Sequence, residues 1–219
     1  MMAVHPKAGM AYNFGSLVFT STIQALQEKY GSRRQYARRE KIGESEPPIG
    51  PAEAEFLGDR DSFYMATVGE SGWPYVQHRG GAKGFLKVID DHTIAFADLR
   101  GNRQYITAGN LMTDDRVALI FVDYPRQTRL KVLGRAQSFE GKDAAPWIEK
   151  LGGTGDGVVE RVFVIHVEAS DWNCPQHITP RFTAEEIRDA IQPWEQRFEA
   201  LQKENDELRR QLTVGSRPS

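Results

Sequence analysis

From Ser62 onward the chain is punctuated into seven short runs rich in β-branched and aromatic residues: Phe63–Val68, Tyr75–His78, Gly84–Ile89, Thr93–Ala97, Val117–Val122, Arg129–Phe139 and Val158–Val167. Gly, Asp and Pro separate them, which is the punctuation of strands. Gly69-Glu70-Ser71-Gly72 joins the first run to the second, and Asp90-Asp91-His92 joins the third to the fourth. A parallel pair needs a crossover of roughly a dozen residues or more, so these neighbours are antiparallel. That disfavours a doubly wound nucleotide-binding fold and predicts an antiparallel barrel or sandwich. Helices over Arg103–Met112 and Ala144–Leu151 fit insertions at its ends.

The flanks have a helical texture. Phe19, Ile23, Leu26 and Tyr30 follow helical spacing within Ser16–Tyr30, and Gly31 supplies a stop, whereas residues 1–15 show no period and read as a loose arm. The most basic run holds Arg33, Arg34, Arg38, Arg39 and Lys41. It reads either as a grip on phosphates or as a solvated helix face offset by Glu28, Glu40, Glu44 and Glu46. After the turn-rich joint Glu46–Pro51, a short helix opens at Pro51 and runs through Phe56 and Leu57.

At the other end, Ile187, Ile191, Trp194, Phe198, Leu201, Asn205, Leu208 and Leu212 alternate steps of four and three, the spacing of a heptad seam. With Leu201 and Leu208 at d, Asn205 falls at a, flanked by Glu204, Glu207, Arg209 and Arg210. Such a helix either pairs with its twin or folds back on its own barrel through Trp194 and Phe198. The expected organisation is an arm and outer helix over residues 1–50, a barrel domain over 51–182, and a C-terminal helix with a short tail over 183–219.

Charge and motif content narrow the function. The formal net charge of -2, from 28 basic and 30 acidic residues, gives no global field for nucleic acid or an anionic membrane. The heptad tail also lacks a contiguous basic region before it, so no nucleic-acid partner is expected. The apolar run Val117–Val122 is far too short to span a bilayer, and a cytoplasmic protein without a membrane partner is the expectation. Cys174 is the only cysteine, which excludes an intrachain disulfide and any CxxC site. Beside Pro175 it reads as a packing residue, with a catalytic thiol near His177 as the alternative. No metal site is expected. GxxxxGK[ST], HExxH and GxSxG motifs are absent, and Gly152–Gly157 lacks the spacing of a dinucleotide fingerprint.

Three segments concentrate polar chemistry. Asp98-Leu99-Arg100-Gly101-Asn102-Arg103-Gln104 ends a strand and begins a helix, so free backbone N–H groups and Arg103 can converge on a phosphate. In Arg79-Gly80-Gly81-Ala82-Lys83-Gly84-Phe85 the glycines permit close approach to a flat ring, with Arg or Lys near its pyrimidine edge; the same glycines also fit a bulged turn. Ser170–Arg181 reads as an irregular loop carrying Trp172, Asn173, His177 and Arg181.

The stretch FYMATVGESGWPYVQHRGGAKGFLKVIDDHTIAFADLRGNRQYITAGNLMTDDRVALIFVDYPRQTRLKVLGRA, followed by ASDWNCPQHITPR, resembles the pyridoxamine 5′-phosphate oxidase-related family of FMN-binding split barrels over about residues 50–182. The resemblance implies a mainly β protein, an antiparallel split β-barrel with flanking helices and, here, a long C-terminal helix. It implies that Arg79, Lys83, Gly84 and Phe85 lie along the flavin ring and ribityl chain. Asn102-Arg103-Gln104 takes the place of the family's phosphate-gripping Ser-Arg-Lys, with Arg103 carrying most of the charge. The family builds its cofactor site between two subunits, which implies a homodimer in which the strand of Thr128 and Arg129 reaches across to the partner's FMN. Trp172 and Arg181 resemble the pair that closes over the isoalloxazine.

One departure bears on substrate. Where the oxidase has an Arg-x-His segment for its vitamin, this chain has Cys174-Pro175-Gln176-His177, with the histidine but no arginine, which argues against vitamin B6 oxidation. The expectation is therefore an FMN-dependent oxidoreductase acting on a small molecule, with His177 donating a proton or positioning substrate. F420 in place of FMN, or a non-catalytic cofactor-binding dimer with a coiled-coil assembly tail, are the alternatives.

Overall fold

The structure, a computed structural model, describes residues 14–42, 47–153, 157–173 and 176–214. The arm through residue 13, Glu44, Glu46, the centre of Gly152–Gly157 and Cys174 lie outside the described residues. Two compact units are distinguished: Met1–Asp123 with Thr128–Gln176, and Tyr124–Gln127 with His177–Ser219.

In the first unit, α1 (Phe14–Val18), α2 (Ser21–Lys29), α3 (Arg33–Ile42) and α4 (Pro51–Gly58) precede the strands. These are β1 (Ser62–Val68), β2 (Pro74–Gly80), β3 (Lys87–Asp90), β4 (Thr93–Leu99), β5 (Arg116–Asp123), β6 (Thr128–Glu140) and β7 (Val159–Asn173). The helix α5 (Ile106–Leu111) separates β4 from β5, and α6 (Gly141–Leu151) separates β6 from β7. All seven strands join one sheet in the order β2-β1-β5-β6-β7-β4-β3, and every pairing is antiparallel. Each of the seven runs expected from sequence is a strand, and the fold is the split barrel with flanking helices and a long C-terminal helix.

Alternation explains the core. Along β1, Phe63, Met65 and Thr67 are buried while Tyr64 and Val68 are exposed; along β5, Val117, Leu119, Phe121 and Asp123 turn inward. This is the period of two that puts one face of a sheet in the interior. Phe63 is the hub, with Phe121, Phe96 and Phe85 ring centroids at 4.9, 5.2 and 5.7 Å. A smaller cluster of Ala95, Ala144, Leu151, Val162 and Val164 seats α6 on the other face of the sheet.

Four elements differ from the sequence expectation. The expected outer helix is broken at Phe19–Thr20: Thr20 is extended (ψ 165°), and the Gln24 side chain donates to the Phe19 carbonyl. The third run becomes strand only from Lys87, because Gly84 takes a positive φ of 74° to make a turn. The helix after β4 starts at Ile106 and not at Arg103. The last strand runs on to Asn173, so Ser170–Asn173 are ladder residues opposite Val132–Arg129 and not loop.

In the second unit, α7 (Ala184–Val214) is held at its start by a capping box. The Thr183 hydroxyl accepts the Glu186 N–H at 3.1 Å, and the Glu186 carboxylate accepts the Thr183 N–H at 2.7 Å. Every side chain from Ala184 to Gln211 is exposed. Among the described residues no helix is long and apolar enough to cross a membrane.

Candidate functional site

As an edge strand, β2 pairs only with β1, so its other side meets the sheet through side chains. Period two sends Tyr75, Gln77 and Arg79 to one face of β2, and all three line a cleft of about 160 Å³. Opposite them stand Asp98 and Leu99 at the end of β4, Gly101–Tyr105 in the following loop, Ile106–Ala108 of α5, and Glu160 and Arg161 of β7.

Two side-chain bridges close this split. Arg79 Nη1 donates to Asp98 Oδ1 at 2.6 Å, and the buried Thr107 hydroxyl donates to Gln77 Oε1 at 3.0 Å. Arg161, 6% exposed, sets its Nε 3.6 Å from Asp98 Oδ2 and its Nη2 3.4 Å from Glu140. Burial pushes the Asp98 carboxyl above its usual range, against the opposing pull of Arg79 and Arg161. The Nε atoms of both arginines are buried without a hydrogen-bond acceptor among the described residues. Asp98 is thus shared by two guanidinium groups whose donor capacity it does not exhaust.

The rim is a strained loop. Arg103 and Tyr105 both adopt left-handed backbone conformations, with φ of 59° and 55°. Each costs an L-residue about 1–2 kcal/mol, and such strain persists where surrounding contacts hold it. Asn102 Oδ1 accepts the Gln104 N–H at 3.1 Å, Arg103 Nε donates to the Tyr105 hydroxyl at 3.0 Å, and the Tyr105 ring lies under Arg161 at 5.0 Å. Because α5 begins only at Ile106, residues 102–104 are presented by this loop and not by a helix terminus.

Of the residues singled out by sequence, the cleft gathers Arg79, Asn102, Arg103 and Gln104. Lys83 instead pairs with Asp59. Gly84 packs where an added Cβ would meet the Gly58 carbonyl at 2.9 Å, and Phe85 stacks on Phe63 beside the core. Arg129 sits on β6 between Val122 and Asn173. Trp172 lies on β7, its Nε1 bonded to Glu53 and its ring edge-on to Phe56 at 4.8 Å. His177 and Arg181 belong to the second unit; His177 has φ 66°, and the Arg181 guanidinium lies 4.9 Å above the Tyr124 ring.

Arg161, Tyr105 and Gln77 line the cleft without having been singled out. Gln77 was accessible from the period-two relation to Arg79. Arg161 had a fainter signal, a cation among Val158, Val159 and Val162 in an apolar strand.

Residues 49–171, more than half the chain, match the family model of pyridoxamine 5′-phosphate oxidase. No curated protein matches. Among solved structures, the Group A Streptococcus protein HupZ is similar at 22% identity, over 61% of this chain and 100% of that one, with a TM-score of 0.45. An FMN-binding protein from Syntrophomonas wolfei is 13% identical over 70% of this chain and 98% of its own, TM-score 0.42. An F420 reductase is 18% identical over 56% and 98% respectively, TM-score 0.40. At such identities and scores these likenesses carry nothing about chemistry.

Proposed function

Because the chain belongs to the pyridoxamine 5′-phosphate oxidase family, we propose that it is a homodimeric, FMN-dependent oxidoreductase acting on a small molecule, with the cofactor site at the subunit interface. The observation that carries this reading is the cleft between β2 and β4, which Arg103, Arg79 and Arg161 line together and where the Nε atoms of Arg79 and Arg161 make no hydrogen bond among the described residues. Three cationic side chains around one cleft suit a phosphate ester, the charged end of FMN. FMN, when bound, supplies hydride or electron-pair transfer through its N5.

The chain's own groups bind and orient. Arg103 and Asn102 hold the phosphate, with Gln104 beside them, and Asp98 keeps Arg79 aimed across the split. Lys83, Gly84 and Phe85 are proposed for the ring end; Arg129 serves the other subunit's site; Trp172 and Arg181 cover the ring. His177 positions substrate or gives it a proton.

Size favours two subunits. Small-molecule pockets run about 300–1,000 Å³, so 160 Å³ takes a phosphate and its linker but not a tricyclic ring. The outward face of β1, β2 and β5 offers a surface for the second copy. Tyr64 faces His78 and Ile120, and Ala66 faces Val76 and Ala118. Val76 is 59% and Tyr64 41% exposed, a flat apolar patch of the kind that marks an interface.

A second reading, a cofactor-binding dimer without turnover, draws on a separate observation. Both acids of the cleft and one of its two phenols are engaged: Asp98 with Arg79, Glu160 with Arg100, Tyr105 with Arg103. The test is an absorption spectrum of freshly purified protein, then titration with FMN and with F420, then NAD(P)H under turnover. Bound FMN that is reduced and reoxidised supports the oxidoreductase. FMN bound without turnover favours the second reading, F420 binding replaces the cofactor, and binding of neither overturns both.

A further inference from the structure

The apolar stripe of α7 is exposed along its length: Trp194 is 76%, Phe198 62%, Leu201 46% and Leu208 51% accessible. At 1.5 Å per residue a helix of 31 residues extends about 46 Å. A stripe of that regularity left to water is the half of an interface. We infer that α7, from Trp194 onward, pairs with the same segment of a second copy of this chain as a parallel, in-register, two-stranded coiled coil, with Asn205 against Asn205 at its axis.

Two features choose this occupant. Asn205 is the one polar residue in the seam from Trp194 to Leu208. In a parallel in-register pair an a position faces its own twin, so the two amides bond to each other. An antiparallel pair, or a slip of one heptad, would set Asn205 against an apolar side chain and leave it unsatisfied. The flanking charges agree: with Phe198 and Asn205 at a, Glu204 is g and Arg209 is the e of the next heptad. Parallel pairing therefore brings Glu204 to Arg209 twice by symmetry, and the preceding g, Arg197, meets the neutral Gln202. No like charges oppose each other.

Pro193, within the helix, falls at c, on the outside of the seam, and lacks the N–H that would bond to Asp189. The pairing is accordingly placed after it, where only three heptads, from Trp194 to Val214, are available. So short a coil is weak on its own and gains from tethering. In that respect the inference rests on the homodimer proposed above, whose interface would hold two tails together.

The test uses the full chain with Cys174→Ser, so that no native thiol competes. Leu208→Cys places a thiol at d, where parallel partners bring Cα atoms within disulfide range; Arg210→Cys places one at f, outside the seam. Mild oxidation and non-reducing electrophoresis should give nearly complete cross-linked dimer for Leu208→Cys and little for Arg210→Cys. Adding Asn205→Asp to the Leu208→Cys chain sets two carboxylates at the axis and should reduce the yield severalfold. Absence of cross-linking at position 208, equal cross-linking at 208 and 210, or indifference to Asn205→Asp each overturns the coil. Light scattering and FMN absorbance on the same samples separate the two ideas: an FMN-binding dimer that does not cross-link sinks the coil alone, and a cross-linked chain that ignores FMN sinks the flavin reading alone.

Discussion

Arg103 is the residue on which the phosphate reading turns, and its backbone is part of the argument. A left-handed φ of 59° at an arginine is held at a cost, with a second one at Tyr105. Replacing Arg103 by Ala removes a charge-assisted bond worth about 1.5–3 kcal/mol. FMN affinity should then fall roughly tenfold to a hundredfold, read by fluorescence titration, with little change in thermal midpoint because the side chain is exposed.

Asp98 is predicted to act on stability with the opposite pH sense to most carboxylates. Its folded-state pKa is raised, chiefly by burial, so the folded chain takes up the proton first as pH falls. The resulting contribution is complete below the unfolded value of 3.8 and is lost as pH rises through the raised one. Relative to Asp98→Asn, the native chain should gain stability on acidification toward pH 4 in urea titrations; a gap constant with pH would contradict this.

At this scale the sequence was informative about Arg103 and Arg79, because cations beside Gly and Asn at strand ends are conspicuous. It gave only a faint signal for Arg161, which reaches the cleft through β7 pairing with β4, and none for Tyr105, which reaches it through a backbone conformation that no local residue type signals.

Among the elements, the strands were legible because alternation and turn residues are local, whereas their edges depend on neighbours. Val159–Asn173 outlasts its apolar run because Ser170, Asp171 and Trp172 find ladder partners in Val132, Lys131 and Leu130, and Asp171 pairs with Lys131 at 3.1 Å. The joint of β6 and β7 also holds a register shift between Leu133 and Gly134. A Cβ at Gly134 would lie 2.4 Å from the His166 carbonyl oxygen, and that atom is backbone in the middle of a paired strand. Gly134→Ala should therefore cost about 2 kcal/mol by overpacking and lower the melting temperature by roughly 4–8 °C, measured by calorimetry. An unchanged midpoint would mean that the bulge is soft.

At the level of the whole molecule, the cleft of about 160 Å³ and the exposed Val76 and Tyr64 of the sheet face are the two observations behind the proposed second barrel. The order of strands was hidden from the sequence because β1 meets β5, and β4 meets β7, across long separations that no local pattern encodes. If the β1, β2 and β5 face is the interface, Val76→Glu places a charge in its apolar centre. The variant should run as a monomer by light scattering with unchanged far-ultraviolet circular dichroism, and it should lose FMN binding although no cleft residue has been touched. Removing residues 183–219 gives the complementary result: the barrel alone remains dimeric and keeps its cofactor. A Val76→Glu chain that is monomeric yet binds FMN with native affinity would show that one barrel suffices and would return the ring end of the site to a single subunit.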